Sequence, residues 1–330
     1  MIVTRKEFMD HISGKRFLVI FAVLLLLTSL SLYNGVKNYH GELDEYKRNL
    51  SSIDERKAEY ERNIKKVEKE DPEQAEQMRD YMLDFMPHKP SVLRVFQEMH
   101  GYFTVVGLIL ALALGFDLIS QEKETGSLKS LLSHPVFRDS VLNGKILGAL
   151  MALGFAMVIV SLLSVGVLMS YGLIPTRSEI LRMSVFMLLS LLFLLSYFSI
   201  GFMSSTLGKN SGQSILIALG LFVLLTIGLP IAGELIADTL VEESPDPQFS
   251  HTSSSYEKRE QIRVLFFMAS PAIMYDEISR DILRPPSPGG RGMILRRTIQ
   301  NNWQSLISLT VLPVPMFVIS YLRFMRMDIR

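Results

Sequence analysis

Six long apolar runs, separated by polar stretches, organise this 330-residue chain. They are Phe17–Tyr33, Gly101–Ile119, Ile146–Leu173, Met183–Leu207, Ser214–Ala232 and Trp303–Tyr321. Each is close to or above the ~17–20 residues that a helix needs to cross a bilayer core. Asp117 is the one residue inside them that is charged at neutral pH. It stands near the end of its run, beside the polar stretch Gln121–Lys145, so it reads either as a hydrated group reaching the interface or as a partner for the basic residues of that stretch. The pattern predicts an all-α polytopic membrane protein with six transmembrane helices.

Between the second and third runs lies a polar island, Gln121–Lys145 (QEKETGSLKSLLSHPVFRDSVLNGK). It opens on Glu122, Lys123 and Glu124, followed by the turn signal Thr125-Gly126-Ser127. Leu128, Leu131 and Leu132 fall at i, i+3 and i+4, giving a short helix with one narrow apolar face that suits the membrane surface. Thr125 or Ser127 can cap its first turn. Pro135 ends it, and Arg138-Asp139-Ser140 starts a helix that runs into the third apolar run.

The order Glu122-Lys-Glu-Thr-Gly126-Ser-Leu128, Leu131-Leu132-Ser133-x-Pro135, Arg138 and Gly144-Lys145 resembles the loop between spans two and three of type-2 ABC exporter permeases. In that family this loop carries the coupling helix, which sits on a separate ATPase subunit. The resemblance implies that Glu122, Glu124, Thr125, Gly126, Leu128, Leu131 and Arg138 form the docking surface. Leucines would fill a groove and glutamates would meet basic residues. It also implies pairing with a second permease copy, identical or related.

Basic residues in the short flanks fix the expected orientation. Arg5, Lys6, Lys15 and Arg16, then Lys123, Lys129, Arg138 and Lys145, then Lys209, then Arg323, Arg326 and Arg330 all fall on one side. The short loop on the other side, Tyr171–Arg182, holds only Arg177 and Arg182. Both termini and the island are therefore expected in the cytoplasm of a cell-membrane protein. The predicted layout is a cytoplasmic interfacial helix at 1–16, span one at 17–33, an extracytoplasmic helical domain at 34–100 and span two at 101–119. The coupling loop at 120–145, spans three to five at 146–232, an extracytoplasmic segment at 233–302, and span six with its tail at 303–330 complete it. Span one is short and follows basic residues, as secretory signals also do; it is read as an anchor.

The first outer segment carries Leu43, Tyr46, Leu50, Ile53, Lys57, Tyr60, Ile64 and Val67 at alternating steps of three and four. That is a heptad seam with one polar intruder, suited to a coiled coil within the chain or between two copies, or to a single amphipathic helix on the outer domain. In the second outer segment, Val241–Glu260 reads as a loop and Arg284–Gly292 as a linker. Ser270-Pro271 marks a helix start followed by Met274, Ile278 and Ile282, expected to dip toward the membrane. Small-residue pairs (Ala111 and Gly115, Gly144 and Gly148, Gly201 and Ser205) predict close helix packing, and Pro313 and Pro315 predict a kink in span six.

Composition narrows the chemistry. With 34 basic and 33 acidic residues the net charge is +1, which gives no footprint for nucleic acid. The chain has no cysteine, hence no disulfide and no thiolate site. The Gly-Lys pairs at 14, 144 and 208 lack the glycine five positions earlier that a phosphate-binding loop needs. The histidines are scattered, no G-x-S-x-G elbow occurs, and no carboxylate pair lies inside a span. The expectation is a transport subunit without its own ATPase site, needing no cofactor because ATP is bound by the partner subunit. Membrane lipid surrounds it, and its outer segments leave room for an extracytoplasmic accessory protein. A non-transporting scaffold that recruits an outer partner through the coiled coil is the alternative.

Overall fold

The computed structural model describes residues 2–68, 71–72, 74–76, 78–79, 89–127, 137–240, 253–284 and 295–327. Among these there is no strand, and six helices are long and apolar enough to cross a membrane. A short helix α1 (Ile2–Ser13) leads into α2 (Lys15–Arg48), which continues well past its apolar run, and then into α3 (Leu50–Val67). The second span is α4 (Leu93–Gly115), extended through turns into α5 (Ser120–Thr125). Spans three and four are α6 (Arg138–Ser170) and α7 (Arg177–Leu207). The fifth is compound: α8 (Ser211–Val223), a widened π-helical turn at Leu224–Gly228, and α9 (Leu229–Leu240). Then come α10 (Ser253–Phe267), α11 (Pro271–Leu283), α12 (Leu295–Asn301), and the sixth span, α13 (Trp303–Val311) with α14 (Pro313–Met325).

The centre of the bundle is the pair α4 and α7. In each, 67% of the most apolar window is buried, against 11% for the fifth span. Aligned glycines bring the two helices together. A Cβ on Gly115 would stand 2.7 Å from the Phe198 carbonyl oxygen, and one on Gly201 would stand 2.9 Å from that of Leu112. Both distances are shorter than carbon and oxygen tolerate, so the backbones touch only because side chains are absent. The second pair, Gly144 and Gly148, has a different use. It seats α1 on α6, with Val3 and Glu7 occupying the space where Cβ atoms would be.

Helix breaks fall where prolines dictate. Span six divides at Leu312 and restarts on Pro313, as the sequence predicts. Pro230 has no N–H for the carbonyl four residues earlier, at Thr226, and the π-helical turn sits at that point. Ser270-Pro271 does begin α11, yet the Ser270 hydroxyl makes no capping bond. Residues 253–260, expected within a loop, belong instead to α10; Glu257–Gln261 is a run of good helix formers whose signal was masked by the Ser- and Pro-rich sequence before it.

At the end of the bundle remote from α5, which we call the far face, α11 lies against α4 and α7. Tyr275 stacks on Phe193 with ring centroids 4.3 Å apart, and its hydroxyl lies 2.6 Å from Ser190 Oγ. Burial pushes the Tyr275 phenol up from its usual range. His100 Nε2 stands 3.0 Å from Asp276 Oδ1. Burial raises the Asp276 carboxyl, but the His100 hydrogen bond and the Arg280 charge outweigh it and hold the group below its ordinary value. Gln97 and the buried Arg182 donate to the carbonyls of Leu283 and Ile282 at the end of α11. Along α3, Ile64 is buried against Ala75, with Val67 and Met78 beside them, while Leu50 and Tyr60 of the same seam are exposed.

Candidate functional site

The six residues of α5 tie together most of the bundle at one face. Three features of the sequence set the element. The hydroxyl of Ser205, near the end of α7, accepts from the backbone N–H groups of Ile119 and Ser120 at 2.7 and 3.0 Å, fixing where α5 begins. Gly126, at φ +74°, ends it in the left-handed conformation that favours glycine. Thr125 turns back on the helix, its hydroxyl donating to the Gln121 carbonyl at 3.0 Å.

Each charged side chain of α5 reaches a different helix. Lys123 Nζ donates to the carbonyls of Ser205, Thr206 and Gly208 at 3.2, 2.8 and 2.9 Å. Those carbonyls belong to the last turn of α7, where a helix has no acceptor partners of its own and favours a cation. Glu124 Oε2 accepts from the backbone N–H of Ser211 at 3.0 Å, the first residue of α8, where a carboxylate is favoured for the mirror-image reason. The lysine and the glutamate thus clasp both sides of the turn between spans four and five.

Glu122 points the other way, into a buried ion triad. Lys145 Nζ, on α6, lies 2.7 Å from Glu122 Oε1 and 2.9 Å from Glu7 Oε1 on α1, with the lysine side chain only 4% exposed. The triad borders a cavity of about 540 Å3 between α1, the start of α2 and the end of α4. His11 also lines this cavity; burial is the largest influence on its imidazole and lowers its pKa. Asp117 pairs with Arg16 from α2, so its partner comes from the N-terminal segment rather than from the island.

Arg138 completes the ring. Its Nη1 donates to the carbonyls of Met325 and Met327 at 3.5 and 3.1 Å, at the end of α14. Of the residues singled out for docking, Glu122, Glu124 and Arg138 therefore have partners inside the chain. Thr125 and Gly126 shape the end of α5, and Leu128 and Leu131 lie outside the described residues. Lys123, Lys145, Glu7 and Ser205 were not singled out from sequence as site residues. Lys145 carries a signal in hindsight, since it lies within a helix between Gly144 and Gly148, which seat another helix.

No group of three or more His, Asp or Glu side chains fit to hold a metal occurs among the described residues. What the arrangement offers is mechanical: one short surface element wired to the ends of spans three, four and five. The family model for ABC-2 family transporter proteins matches residues 1–329. The chain belongs to that family. No curated relative matches the sequence. An ABC-2 transporter protein is a membrane component, and the six apolar helices described above are its membrane part.

Proposed function

We propose that this ABC-2 protein is the permease subunit of an exporter, and that a separate ATPase subunit docks on the island 122–138 from the cytoplasm. The observation that carries this reading is α5 itself. Lys123 holds the end of span four, Glu124 the start of span five, and Glu122 reaches span three and α1 through Lys145. A push on Leu128 and Leu131, next along the chain, reaches all of these through links of about 3 Å. Apolar side chains offered by the island suit burial in a groove on the ATPase. Glu122 and Glu124 position the docking segment rather than form its main contacts. ATP-driven closure of two ATPases would move α5 in each of two permease copies and tilt the spans attached to it.

The test is a mild-detergent purification of the tagged, full-length chain from its native membrane. A stoichiometric ATPase with a phosphate-binding loop is expected with the wild type. Leu128→Asp should abolish its recovery, while the thermal melting of the permease stays within a few degrees. A partner set of outer-surface proteins alone, unchanged by Leu128→Asp, would sink the exporter and favour the scaffold.

A further inference from the structure

On the face that carries α5, a groove of about 550 Å3 opens between the ends of α7 and α14. Its charged lining is all of one sign: Lys123, Lys209, Arg323 and Arg326 border it, and no carboxylate among the described residues does. Its apolar wall includes Ile319 and Leu322, which are 46% and 50% exposed on the side of α14 turned away from the bundle. The cavity therefore joins a basic recess to a lipid-facing surface, at the level where spans end.

Lys123 serves the carbonyls at the end of α7, but the other three cations are not explained by the fold. Lys209, Arg323 and Arg326 make no side-chain ion pair or hydrogen bond among the described residues. Arg323 and Arg326 stand at i and i+3, where like charges repel on a helix surface. Arg323 is also near enough to Lys123 for its charge to be felt there. Arginines at a helix end can serve the terminal carbonyls, but the Met325 and Met327 carbonyls already accept from Arg138. Four like charges converging on one hollow call for an anion, and a fork of guanidinium donors matches phosphate oxygens.

We propose that the groove seats the headgroup of an anionic phospholipid, with an acyl chain running along Ile319 and Leu322. Basic recesses between spans on the positively flanked side of a membrane protein suit such headgroups. Lys123 links this site to the clasp at the turn between spans four and five, so a bound headgroup would bear on the same element as the docking island. The inference rests on the chain spanning a membrane and stands apart from ATPase docking.

The experiment uses the full chain in phosphatidylcholine-containing micelles, titrated with phosphatidylglycerol and read by native mass spectrometry. Phosphatidylglycerol should bind about tenfold or more tightly than added phosphatidylcholine. The double variant Arg323→Gln with Arg326→Gln should lose most of that preference. Arg323→Lys with Arg326→Lys should keep part of it, and Arg177→Gln, at the opposite end of α7, should leave it unchanged. If the double variant does not fold, Lys209→Gln and Arg326→Gln taken singly give the same reading, each with a severalfold loss. Equal binding of the two lipids to wild type would overturn the proposal, as would a preference that survives in a folded double variant. Displacement of phosphatidylglycerol by millimolar inorganic phosphate would also overturn it, by assigning the groove to a free anion.

Discussion

Lys145 is the residue whose environment demands most of its neighbours. An ammonium with 4% of its side chain exposed is tolerable only because Glu7 and Glu122 both face it. Removing the lysine alone would leave two carboxylates without their cation. Lys145→Met should therefore cost about 3–5 kcal/mol. Adding Glu7→Gln and Glu122→Gln should restore much of that, because a neutral trio has no stranded charge. Thermal melting of the single and triple variants in detergent checks this; equal destabilisation of the two would mean the charges are hydrated after all. The sequence could not show this triad. Glu7 lies more than a hundred residues before Glu122 and Lys145, Glu122 reads as a docking residue, and Glu7 and Lys145 each read alone as an ordinary flanking charge. Glu124 and Arg138 illustrate the same limit. Their charge and position beside the membrane were evident, but whether they face a partner protein or a neighbouring helix end is decided by packing.

At the scale of elements the sequence was far more informative. Every span announced itself, because the bilayer forces a long uncharged run on any helix that crosses it. The proline breaks in span six were equally plain, since a missing N–H acts locally. Helix boundaries were less legible. α2 continues beyond Tyr33 as a charged helix, where hydrophobicity has ended but helix propensity has not. The small-residue pairs were visible too, though not what they would pack against. Gly115 and Gly201 turned out to face each other across α4 and α7, and that contact makes a sharp prediction. Gly115→Val should push the two helices apart and cost about 1–3 kcal/mol or more. Valine at Gly154, which has no atom within 4 Å of where a Cβ would sit, should have little effect by the same melting assay.

Considered whole, the molecule has charged ties at its two ends and a middle held by apolar packing with a few hydroxyl hydrogen bonds, such as Ser196 to the Leu309 carbonyl. The α5 face carries the clasp, the triad and the basic groove; the far face carries the His100–Asp276 and Arg182 contacts that pin α11. Span five stands at the rim, mostly uncovered by its own chain, and yet its second half, α9, must meet α10 in one orientation. Gly233 on α9 lies under Phe266, and Arg263 and Arg259 reach Glu234 and Asp238. The π-helical turn below it bears on that orientation. There the Leu229 N–H bonds the carbonyl of Leu224, five residues back, so the turn holds one residue more than an ordinary coil of the helix. The chain has in effect a spare link at that level. Shortening it by one residue there, by deleting Ile227, should restore a regular coil and leave α9 in phase with α8. Deleting Leu219 removes a residue where none is surplus. It should swing everything beyond by about 100° and turn Gly233 away from Phe266. Folded yield in the membrane separates the two outcomes: the first deletion should approach wild type and the second should fall well below it. Equal losses would show that the phase of the helix is set elsewhere.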